Sequence, residues 1–68
     1  MDSYLIVKWY VDIMQPTSHI YSERTMLDAW RDAYHAHRQG MLPLSEMHVY
    51  RVSKPGVLQL LNTLAKPP

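Results

Sequence analysis

The sequence predicts a small α+β domain of order β-β(short)-α-β-α, in which a two- to three-stranded sheet is packed by two amphipathic helices. Three observations carry that prediction. Residues 3–13 alternate in strand period, residues 26–37 carry a helical-period stripe closed by Gly40, and residues 57–65 carry a second apolar stripe.

The first strand is read over Ser3–Ile13, where β-branched and aromatic residues dominate. Leu5, Val7, Trp9, Val11 and Ile13 share one face, which is expected to be buried. Gln15-Pro16-Thr17-Ser18 breaks the run, because Pro16 lacks a ladder donor and Thr17 and Ser18 favour turns. His19–Ser22 then returns as a short second strand.

Thr25 and Asp28 stand in the spacing of a capping box, so a helix is predicted from about Met26 to just before Gly40. Met26, Leu27, Ala29, Trp30, Ala33, Tyr34 and His37 fall on one side. Asp28, Arg31, Asp32, His35, Arg38 and Gln39 fall on the other. Gly40 supplies the left-handed stop. Met41–Ser45 reads as an apolar connector against the core, and Met47–Val52 as a third strand with no clear wet face. Ser53 and Pro55 suit a helix start, and Val57, Leu58, Leu60, Leu61, Leu64 and Ala65 oppose Gln59, Asn62, Thr63 and Lys66 as a second amphipathic helix.

The 68-residue length bounds a single domain, read as residues 1–66 with Pro67 and Pro68 a frayed tail. Such a chain buries only about 60% of its unfolded surface, and marginal domains are usually reinforced by disulfides, a metal or self-association. No cysteine is present, which closes the first route and favours a homodimer. The same absence, with no long apolar run and no basic leader, predicts a cytoplasmic protein without membrane contact. Seven Lys and Arg against six Asp and Glu give a formal charge of +1, too balanced for the positive field that draws a protein to a phosphate backbone.

No motif specifies a reaction. His35 and His37 are two apart, so on a helix they point nearly opposite ways, whereas helical metal ligands need spacings of three or four. Asp28 and Asp32 have a carboxylate-pair spacing but share a face with Arg24 and Arg31, which reads as a solvated, ion-paired surface. Ser22, Ser45 and Ser53 sit where turns and caps need hydroxyls, and Gly40 and Gly56 where helices end. The expectation is a non-enzymatic protein with no catalytic, metal or cofactor residues and no bound cofactor.

What the sequence leaves unexplained is the second face of the first strand. Tyr4, Ile6, Lys8 and Tyr10 are too apolar for a wet surface. Either the last helix covers them, or a protein partner does, and tyrosine is enriched at such interfaces. The second arrangement is preferred, with Tyr4, Ile6, Lys8, Tyr10, Tyr50 and Arg51 as partner-binding residues. The expected function is a protein-binding module acting by steric or regulatory docking, in the manner of a phage or mobile-element accessory inhibitor. A single-stranded nucleic-acid module, with tyrosines as stacking platforms, is the alternative. A structural subunit of a larger assembly is another.

Overall fold

The computed structural model describes residues 2–54 and 56–68. In chain order it contains strands β1 (Ser3–Tyr10) and β2 (Thr17–Tyr21), helix α1 (Glu23–Arg38), and strands β3 (Leu44–Lys54) and β4 (Val57–Thr63). The strands make one antiparallel sheet in the order β2-β1-β3-β4. Helix α1 lies on one side of it, giving a slab of 34 × 25 × 14 Å. No helix among the described residues is long and apolar enough to cross a membrane.

The fold class therefore differs from expectation: four strands and one helix replace a two- to three-stranded sheet packed by two helices. The difference lies in residues 57–63, which form β4 and not a second helix. Val57, Leu58, Leu60 and Leu61 fit either period, as short apolar runs do. The neighbouring chain decides between them. Lys54 pairs with Val57, and Gly56 sits at φ +79°, the left-handed value required at the third position of a type II turn. This hairpin lets the eleven-residue β3 pair a returning strand. Pro55, read from sequence as part of a helix start, lies outside the described residues.

A second correction concerns which face of β1 is buried. Tyr4 and Ile6 are in the core, with Met47 and Val49 from β3, Met26 and Trp30 from α1, and Leu44. Leu5, Val7 and Trp9, expected inside, are on the opposite face and are half-buried. Register explains the choice. Trp9 pairs with Glu46 and Val7 with His48, whereas Ile6 pairs with Val49 and Lys8 with Met47. Helix α1 must cover the face that carries Met47 and Val49, because the other carries a carboxylate. β1 also ends early, at Tyr10, leaving Val11 and Ile13 exposed in the following loop.

Helix α1 has the predicted faces, with Met26 and Trp30 buried and Asp28, Arg31, Asp32, His35 and Arg38 exposed. Its N-cap is Ser22, three residues earlier than the Thr25-based box. Ser22 Oγ accepts the Thr25 N–H at 3.4 Å and lies 2.9 Å from Thr25 Oγ1. At the other end, Gly40 (φ +74°) donates its N–H to His37 O, and Met41 donates to Ala36 O. These are the paired bonds of a Schellman stop. The connector seats Leu44 in the core but leaves Met41 and Leu42 exposed. Leu44 N–H donates to His37 Nδ1 at 3.0 Å, so this histidine of the apolar stripe pins the helix end to the start of β3.

Candidate docking face

The six residues expected to bind a partner do not come together. Tyr4 and Ile6 are 8% and 2% exposed beneath α1, so neither is available for contact. Lys8 and Tyr10 stand at the flank of the helix, where they line a groove of about 300 Å³ with Ala29, Asp32, Ala33 and Leu42. Lys8 Nζ lies 5.8 Å from the Tyr10 ring centroid, a cation–π contact that ties the two together. Arg51 pairs with Tyr4 and so belongs to the helix side, where its guanidinium donates to Gln59 Oε1. Only Tyr50 is on the opposite face.

That opposite face is the site that sequence reasoning missed. Following register across the sheet, it presents Ile20 from β2, Leu5, Val7 and Trp9 from β1, His48, Tyr50 and Val52 from β3, and Leu58 and Leu60 from β4. Among the described residues no helix or strand lies on it, since α1 occupies the other side. Ile20, Leu58 and Leu60 are 50–63% exposed. Isolated surface leucines are ordinary, but an apolar face spanning four strands is a candidate interaction surface.

Its centre is ordered by polar and aromatic contacts. His48 Nδ1 lies 3.1 Å from the Tyr50 hydroxyl, and His48 Nε2 lies 3.4 Å from Glu46 Oε2. The Trp9 ring meets the His48 ring edge-on at 5.1 Å between centroids, and the Tyr50 ring stacks beside it at 6.0 Å. Three aromatic side chains on the two central strands are thus held in one row, with Glu46 at its end. Residues i, i+2 and i+4 of a strand share a face, which is why Glu46, His48 and Tyr50 line up. Rings fixed in this way lose little rotamer freedom when something packs on them.

The signal was present in the sequence. Both faces of β1 are apolar, so alternation within that strand cannot rank them. The alternation of Glu46, His48 and Tyr50 against Met47 and Val49 in β3 does, once β3 is paired with β1.

Family models, curated proteins and solved structures were all compared with the chain, and none matches it.

Proposed function

We propose that this chain is a non-enzymatic protein-binding module that lays the open face of its sheet on an apolar surface of another protein and acts by covering it. One observation carries the reading: the Trp9, His48 and Tyr50 row at the centre of a face that also carries Leu5, Val7, Val52, Leu58 and Leu60, with Glu46, Ser18 and Thr63 beside the row. Fixed aromatic anchors within an apolar surround are the composition of interface centres, where tyrosine and tryptophan concentrate the binding energy. A chain without cysteine suits a reducing compartment, and a cytoplasmic setting goes with the proposal.

The same row favours one other reading, a platform on which single-stranded bases stack. Charge weighs against it. Lys8 and Arg51 both belong to the helix side, which leaves Lys54, at the far end of β3 from His48, as the lysine or arginine of the described central strands not placed there, too little charge to hold a phosphate chain.

The test places a photo-reactive amino acid at Val7, on the open face, and at Asp32, on the solvated side of α1. Protein adducts are expected from Val7 alone, at discrete masses, and are expected to vanish when Trp9→Asp is added. Equal labelling from both positions would remove the proposal. A labelled oligonucleotide is expected to show no binding below about 100 µM at physiological salt, the weak end of non-specific association. A submicromolar constant lost on Tyr50→Ala would install the nucleic-acid reading instead.

A further inference from the structure

We propose that two copies of this chain pair through β4, antiparallel about a two-fold axis at Gln59, to make one continuous eight-stranded sheet.

The two edges of the sheet are unlike. β2 is five residues long, follows Pro16, and carries Thr17, Ser18 and His19. β4 is seven residues long and holds no charge and no proline. Val57, Leu58, Leu60 and Leu61 are each 40–53% exposed. Natural edge strands are usually shortened, charged, interrupted or bulged to prevent pairing; β4 lacks the first three, and its ladder to β3 is bulged at Leu61, beyond the Leu58–Leu60 segment that centres on Gln59. An edge of this kind accepts an extended strand, because its outward N–H and C=O groups need ladder partners.

The order of residues says which strand. Val57-Leu58-Gln59-Leu60-Leu61 has the same polarity pattern read in either direction about Gln59. A strand pairing with its own copy across a two-fold axis is read against its reverse. An axis at Gln59 sets Leu58 opposite Leu60 of the second copy, and Val57 opposite Leu61 of the second copy. Leu58 pairs with Val52 and Leu60 with Tyr50 within the chain, so both belong to the open face and the leucine pairs form on one side. The Gln59 amide oxygen accepts from Arg51 and keeps a second lone pair, so across the axis the NH₂ of one Gln59 can donate to the Oε1 of the other. A formal charge of +1 per chain adds little repulsion.

One strand pair buries less than the roughly 1,200–2,000 Å² of a standard stable interface, so the dimer exchanges and its dissociation constant is micromolar or weaker. Pairing at the edge leaves the Trp9, His48 and Tyr50 row uncovered and sets two such rows side by side. The inference is independent of whether that row binds protein or nucleic acid.

Because the chain lacks cysteine, the axis can be tested directly. Opposed residues in an antiparallel pair have Cα atoms about 4.5–5.5 Å apart, within disulfide reach. Gln59→Cys is expected to oxidise to a covalent dimer at least tenfold faster than Val11→Cys, an exposed residue remote from β4 in the ladder. Equal rates would overturn the proposal. A second arm does not depend on that variant. Leu58→Lys and Leu60→Glu are each expected to weaken dimerisation at least tenfold, and an equimolar mixture to restore it, because the lysine then faces the glutamate and the remaining leucines face each other. Sedimentation should show the wild type moving from 8.0 kDa toward twice that mass with concentration, and Trp9→Asp should not change this. Failure of the mixture to recover, loss of the dimer in Trp9→Asp, or a monomer at every concentration would each overturn it.

Discussion

The indole Nε1–H of Trp30 donates to the carbonyl oxygen of Ala65 at 2.9 Å, joining the middle of α1 to the chain beyond β4. The path there is strained: Leu64 has φ +26°, unusual without glycine, while its N–H donates to Met47 O at 2.7 Å. A buried ring that also satisfies a carbonyl is a joint between the helix and the end of the sheet. Trp30→Phe keeps most of the apolar bulk and removes the donor. It is expected to cost about 1–2 kcal/mol in urea denaturation, and to raise amide exchange at residues 64–66 first. A variant as stable as the parent would show that the joint carries no weight.

The inverted face of β1 can be checked with one chemical change at two places. Ile6 is 2% exposed and Ile20 is 63% exposed. Ile6→Ala is expected to cost about 2–5 kcal/mol, most of what so small a domain has. Ile20→Ala is expected to cost under about 1 kcal/mol, within the range of strand propensity. The reverse ranking would mean that the sheet is buried on the other side, and equal costs that neither face is the preferred core.

The helix start offers a finer test. Ser22→Ala is expected to lose about 0.5–2 kcal/mol, the worth of an N-cap side chain. Asp28→Ala is expected to stay within about 0.5 kcal/mol, because its carboxylate is exposed and its ion pair to Arg31 spans 3.7 Å in solvent. The reverse ranking would restore the capping box three residues further on.

Much of the fold is legible in the sequence for identifiable reasons. The α1 stripe from Met26 to His37 is long enough for its period to be unambiguous, and Gly40 fixes its end. β1, β2 and β3 are marked by β-branched and aromatic residues between Pro16, Gly40 and Pro43. Residues 57–61 fail the same test because five positions, four of them apolar, cannot distinguish a period of 3.6 from a period of 2. Lys54-Pro55-Gly56-Val57 is a turn signal that was assigned instead to a helix start, and that one assignment removes a strand from the sheet. The buried face of β1 was hard to read for a related reason. Tyr4, Ile6 and Tyr10 are conspicuous in β1 alone, but the face to which they belong is decided by β3, whose pairing no local pattern reveals.

The 14 Å slab has a consequence for chemistry. Preorganised dipoles stabilise a developing charge strongly only where water is excluded and the dielectric is low. The Glu46, His48, Tyr50 row lies on the open face of the slab, in contact with bulk solvent. Whatever closes over the open face therefore supplies its second wall. Once shielded, the same three side chains would interact through a medium of much lower permittivity, and their hydrogen bonds would strengthen without any atom of this chain having moved.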